Sequence, residues 1–86
     1  MTLEEFRASV QLMTPADYDA TYGPVLADIC QPREWIRCYD SGAWIIYRAD
    51  GTHWLDLEGE FYSTADGYSL PEMEATLWRW LGHEPI

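Results

Sequence analysis

EWIRCYDSGAWIIYRADGTHWLDLEGEFYS, residues 34–63, is the stretch whose reading decides the fold. Three runs rich in β-branched and aromatic residues stand in it: Glu34–Tyr39, Ala43–Arg48 and Thr52–Leu57. A shorter fourth run is Glu60–Ser63. Their separators are Asp40-Ser41-Gly42, Asp50-Gly51 and Glu58-Gly59, of which Asp50-Gly51 is the specific signal and the others are consistent with tight turns. Asp50-Gly51 reads as a two-residue hairpin loop, since both central residues of a type I′ turn need positive φ. Successive hairpins make an antiparallel meander of three to four strands.

Outward from this stretch the period turns helical. Thr2-Leu3-Glu4-Glu5 matches a capping box, and Leu3, Phe6, Val10 and Met13 follow at helical spacing. Thr14-Pro15-Ala16-Asp17 starts a second helix with an N-cap threonine and a proline at N1. Gly23-Pro24 ends it near Tyr22. Pro24 opens a further short turn through Val25, Leu26 and Ile29, closed by Gln31-Pro32. On the C-terminal side, Ser69-Leu70-Pro71-Glu72 is another capping box. Leu70, Met73, Leu77, Trp80 and Leu81 form the apolar stripe, and Gly82 stops the helix. The expectation is one α+β domain over residues 1–86, with N-terminal helices, the meander and a C-terminal helix, helices packed on the sheet.

Composition bounds the partners. The chain has 86 residues, with 15 Asp plus Glu against 5 Lys plus Arg, for a net charge of −10. Every basic residue is an arginine: Arg7, Arg33, Arg37, Arg48 and Arg79. A domain of this size buries only about 60% of its unfolded surface, enough for one core but hardly for a deep cleft as well. Direct grip on nucleic acid needs clustered Lys and Arg, and an anionic membrane repels an acidic chain, so neither is an expected partner. A 48% hydrophobic and 15% aromatic content excludes a disordered acidic chain. The N-terminus lacks the pattern of a signal peptide, and the longest apolar run, Ala43–Tyr47, is far too short for a membrane span. A cytoplasmic protein with Cys30 and Cys38 as reduced thiols is expected.

A loop at Asp50-Gly51 pairs Ala49 with Thr52, Tyr47 with Trp54 and Ile46 with Leu55, which sorts the strands onto two faces. One face carries Ile36, Cys38, Ile45, Tyr47, Trp54 and Phe61 with Asp56, and reads as the core. The other carries Trp35, Tyr39, Trp44, Ile46, Leu55, Leu57 and Tyr62, with Arg37, Arg48, His53 and Glu60. Either helices cover this second face, or it is a contact surface, since Trp, Tyr and Arg are enriched at binding hot spots. Trp35, Tyr39, Trp44, Tyr62, Arg37 and Arg48 are its candidate contact residues.

Catalytic signals are thin. There is no HExxH, CxxC pair, Gly-rich phosphate loop or GxSxG elbow. Cys38 and His53 fall on opposite faces, and His83 reads as a cap for terminal helix carbonyls. Asp56-Leu57-Glu58-Gly59-Glu60 lacks the spacing of an EF-hand loop. No enzyme, cofactor or metal is expected. The acids say more. Glu4, Glu5, Asp17, Glu72 and Glu74 sit where helix N-termini favour negative charge, and turns explain Asp40, Asp50 and Asp66. Asp56, Glu58 and Glu60 have the weakest structural reason, and with Asp28 they are the acidic binding candidates.

The expected function is a non-enzymatic binder that blocks a basic, nucleic-acid-binding surface on a partner protein. In size, acidity and aromatic content the chain resembles small acidic phage-encoded anti-defence proteins, including anti-CRISPR proteins; no residue role carries over from that resemblance. Two alternatives stand beside it. One is an immunity or antitoxin protein for a basic nuclease toxin; the other is an accessory domain that homodimerises through its aromatic sheet face.

Overall fold

The computed structural model describes residues 1–23, 30 and 33–82. Its elements are α1 (Leu3–Ala8), β1 (Gln11–Met13), α2 (Pro15–Tyr22), β2 (Trp35–Cys38), β3 (Trp44–Tyr47), β4 (His53–Leu57), β5 (Glu60–Ser63) and α3 (Leu70–Trp80). The fold is α+β, with five antiparallel strands in the spatial order β1-β2-β3-β4-β5. The further turn expected through Val25, Leu26 and Ile29, its Gln31-Pro32 end, Asp28 and His83 lie outside the described residues.

Local signals place the helix starts. Thr2 and Glu5 form the reciprocal capping box of α1, and Ser69 and Glu72 form that of α3. The Thr14 side chain accepts the Asp17 amide at the start of α2. The hydrogen bonds from Thr2 hold the Glu5 carboxyl below the usual range.

The strand count exceeds the expectation by β1. Helical spacing of Val10 and Met13 suggests one helix through Met13, but α1 stops at Ala8 and Gln11–Met13 pairs antiparallel with β2, Leu12 opposite Arg37. Pro15 forces Thr14 into extended backbone (φ −73°, ψ 154°), which separates α1 from α2, and Gln11–Met13 takes its backbone partners from β2 instead of from a helix. Ser9 then ties the break to the sheet, because its Oγ accepts the Asp40 amide at 2.9 Å.

The expected register around β3 also needs correction. Ile46 pairs with Trp54 and Tyr47 with His53. Arg48 N–H donates to Thr52 O at 2.8 Å, so the loop is Ala49-Asp50-Gly51, with Gly51 at φ 89°. Asp50 Oδ1 stiffens it by accepting the Thr52 amide at 3.0 Å and hydroxyl at 2.6 Å, which lowers the Asp50 pKa. The two-residue turn with both central residues at positive φ is Glu58-Gly59 instead (51° and 93°), between Leu57 and Glu60. The β2–β3 loop likewise holds three residues, because Tyr39 N–H donates to Ala43 O at 2.7 Å.

One residue of loop length reverses every side chain of a strand. Ile45 and Tyr47 therefore lie with Trp35, Arg37, Tyr39, Leu55, Leu57 and Tyr62, whereas Trp44 and Ile46 lie with Ile36, Cys38, Trp54, Asp56 and Phe61. This exchanges the β3 residues between the two expected faces.

Both faces are covered. α1 and α3 close one core over Phe6, Tyr39, Ala43, Ile45, Leu55, Leu57, Met73, Leu77 and Trp78. α2 closes the other over Tyr18, Ile36, Cys38 and Ile46, with Met13, Trp44 and Trp54 packed beside them. Central β3 is apolar at all four positions because it feeds both cores. The second core is tied to the β2–β3 loop: the Tyr18 hydroxyl, raised by burial to about 12, donates to Gly42 O. Gly42 is required there, with φ at 81° and the Tyr22 ring so near that a Cβ would lie 2.8 Å from Cδ1.

Candidate functional site

The β4–β5 hairpin carries Asp56, Glu58 and Glu60, but not on one face. Strand alternation sends Asp56 toward the α2 side and Glu60 toward the α1/α3 side. Glu58 stands exposed at the tip in left-handed backbone. Asp56 has a structural task as well, since its Oδ1 accepts the Gly59 amide at 2.9 Å and closes the turn. Glu60 Oε2 accepts the Tyr62 hydroxyl at 2.9 Å. The trio is thus a negative ridge around the end of the sheet.

The expected aromatic and arginine face divides in two. Trp35 (44% exposed) and Arg37 lie on the α1/α3 side, together with half-buried Tyr62, whose ring meets Tyr68 edge-on at 5.3 Å. Tyr39 shares that side but is buried, stacked on Phe6 with ring centroids 4.8 Å apart, and offers no surface to a partner. Trp44 is on the α2 side, 6.4 Å from Trp54. Arg48 is there too, its guanidinium 5.2 Å from the Trp54 ring centre and 3.6 Å from the buried Glu34 carboxylate.

Sequence reading missed Glu74. It assigned this residue to the helix N-terminus, yet the carboxylate is buried and joins three elements. The Tyr39 hydroxyl donates to Oε2 at 2.5 Å, Arg7 Nε lies 3.4 Å from Oε1, and Arg37 Nη2 lies 4.0 Å from Oε2. Arg37 Nε also donates to the Tyr39 hydroxyl at 3.2 Å, and Arg7 Nη2 to Pro71 O at 3.3 Å. Burial is the main reason the Tyr39 phenol is pushed far above its ordinary range; the bond to Glu74 adds to this and that from Arg37 opposes it. A usable signal existed, because Glu74 falls between Leu70, Met73, Leu77 and Trp78 at helical spacing.

His53 borders this network and stacks on Tyr47 at 4.7 Å. Burial, then the Arg37 charge, lowers its pKa from 6.5, while Glu74 opposes the shift. The neutral ring therefore contributes stability that is present above the unfolded value of about 6.5 and is lost as pH falls through the lower folded value. Chemical denaturation at pH 7.5 and 5 is expected to show this loss, and His53→Gln is expected to flatten the profile. An NMR titration placing the His53 pKa above 6.5 would reverse the sign. Cys38 and His53 lie on opposite faces, and burial raises both cysteine thiols, which keeps them protonated and weakly nucleophilic near neutrality.

The end of α3 supplies residues the sequence reading had put in the core. Trp80 (51% exposed) and Leu81 (36%) stand outside, and Trp78 takes the buried place, because the stripe follows Leu70, Met73, Glu74, Leu77 and Trp78. A groove of about 480 Å³ lies between β5 and α3, lined by Leu57, Glu58, Glu60, Tyr62, Thr76, Arg79 and Trp80. A cleft of about 230 Å³ adjoins it and shares Leu57, Glu58 and Trp80. Phe61 (58% exposed) stacks on Trp54 across the sheet from this groove. Acidic hairpin, groove and exposed aromatics thus meet at one end of the molecule.

Among the described residues, no group of three or more His, Cys, Asp or Glu is placed to hold a metal ion, and no helix is long and apolar enough to cross a membrane. Comparison with protein-family models, with curated proteins and with solved structures finds no match.

Proposed function

We propose that this protein is a non-enzymatic acidic binder that occupies a basic, nucleic-acid-binding surface on a partner protein, in the manner of a nucleic-acid mimic. The observation that carries the reading is the negative ridge of Asp56, Glu58 and Glu60, set beside exposed Trp80 and Phe61 on a chain of net charge −10. Such a field speeds encounter with a positive surface, and the aromatic rings anchor the contact afterwards. A two-residue turn, closed by the Gly59 amide on Asp56 Oδ1, fixes the backbone that carries the ridge. The anti-defence role, of the anti-CRISPR kind, takes a nucleic-acid-guided complex as the partner; the immunity or antitoxin version takes a basic nuclease toxin. Both place the protein in the cytoplasm. Trp35 and Leu12, exposed on one sheet face, favour the homodimeric alternative, which sedimentation tests directly.

The triple substitution Asp56→Asn, Glu58→Gln, Glu60→Gln tests the ridge. Asparagine keeps an oxygen to cap Gly59, so unfolding should be unchanged. Association with the captured partner is expected to slow about tenfold at low salt, and raising salt should reproduce the loss in the parent chain. The captured partner should also release its DNA or RNA when the protein is added. Unchanged association of the triple variant at every salt concentration, or simultaneous binding of nucleic acid, would sink the reading.

A further inference from the structure

The groove behind the hairpin differs from the ridge in having walls. Leu57 and Tyr62 come from the paired strands, and Thr76, Arg79 and Trp80 form one stripe of α3 at i, i+3 and i+4. Glu58 and Glu60 stand at its rim on either side of Gly59. β5 is the last strand of the sheet and so has one edge without a strand partner. In a two-residue hairpin the Leu57–Glu60 pair is hydrogen-bonded, as is Leu55–Tyr62, which leaves the Phe61 backbone groups pointing outward along that edge.

These observations describe a seat for an extended chain. A segment laid along β5 finds backbone partners at Phe61, and because its side chains alternate, one of them is directed toward the groove. Charge decides which. The seat presents two carboxylates, the Trp80 side chain and the Leu57 side chain, and the whole chain is strongly negative. A cationic head on an alkyl stem satisfies all four, whereas an acidic side chain meets repulsion and an apolar one leaves the carboxylates unanswered.

Arg79 already lines this groove, and among the described residues it makes no ion pair within 4.0 Å. Its positive charge competes with any cation that enters.

We infer that the groove between β5 and α3 receives an arginine or lysine side chain from an extended basic segment of the partner, and that Arg79 weakens this binding as a resident competing cation. The inference rests on the proposed role as a binder of basic proteins and names the part of the partner that is held.

The test uses the isotope-labelled full chain and two blocked peptides, acetyl-Ala-Arg-Ala-Arg-Ala-amide and its glutamate counterpart. The arginine peptide is expected to shift the Trp80 indole N–H and the Glu58–Tyr62 amides, and the glutamate peptide is not. Trp80→Ala and Glu60→Gln should each weaken arginine-peptide binding about threefold, and Arg79→Gln should tighten it by a similar factor. These residues are at the surface, and thermal unfolding checks that the variants remain folded. No saturable shift, a shift centred on Trp35 and Tyr47, or an Arg79→Gln variant that binds no more tightly overturns the inference. The groove fails separately from the ridge: if the triple ridge variant slows partner association while Trp80→Ala and Arg79→Gln leave the affinity for the partner unchanged, the ridge stands and the groove falls.

Discussion

Phe6→Ala is expected to cost about 3–5 kcal/mol of folding stability, the usual range for removing a buried aromatic ring. Phe6 is 1% exposed and stacks on Tyr39 with only 9° between the rings. It packs in one core with Ile45, Leu55, Met73 and Leu77. The loss extends beyond a cavity. α1 has six residues, far fewer than an isolated helix needs, so it is held by tertiary contacts. Without its anchor the Arg7–Glu74 contact and the Ser9 bond to the Asp40 amide are also weakened. At roughly 0.05–0.15 kcal/mol per residue, a domain of this size has about 4–13 kcal/mol in total, so the variant loses a large share of its stability and at the lower end of that range is unfolded. Urea denaturation gives the readout. A change below about 1 kcal/mol would mean that α1 is outside the cooperative unit.

Glu74→Ala is expected to cost about 2–4 kcal/mol, because it takes the acceptor from the buried Tyr39 O–H, which keeps only the bond it accepts from Arg37, and removes the counter-charge beside Arg7 Nε. Arg7 Nε is itself buried and makes no hydrogen bond among the described residues, so the ion pair is its compensation. Arg7 and Arg37 are partly exposed and can turn toward water, which keeps the cost below that of a wholly buried pair. Glu74→Gln preserves an acceptor for Tyr39 and should cost less. A double-mutant cycle with Tyr39→Phe isolates the bond: once Glu74 is alanine, the tyrosine substitution should lose at least about 1 kcal/mol of its effect. Additive effects would show that the network contributes nothing beyond packing.

These two residues differ in how much of their role the sequence reveals. Phe6 belongs to an apolar pattern behind a capping box, and core placement follows from that. Glu74 is three residues past the Ser69-Leu70-Pro71 start, where helix polarity is an adequate reason for an acid. Its burial depends on Tyr39, 35 residues earlier in the chain, and on Arg7 from α1. Trp80 and Trp78 show the same limit. Trp80 stands three residues from Leu77 and Trp78 four from Glu74, and the face that α3 turns to the sheet decides which one is covered. For the candidate site, the acidic hairpin is legible in Asp56-Leu57-Glu58-Gly59-Glu60, but the groove is not, because its second wall comes from α3.

What the sequence alone determined are the features settled by near neighbours in the chain. The starts at Thr2, Thr14 and Ser69 rest on hydrogen bonds spanning three residues, the meander rests on closely spaced turns, and the net charge of −10 rests on composition. The tertiary structure decided the fifth strand, the facing of β3, the partners of Glu74 and the exposure of Trp80. The physical reason is that a strand's side chains reverse with each residue and a backbone edge must find its partner elsewhere in the chain. One more residue in a loop, or the choice of element packed above it, moves the same side chain from core to surface.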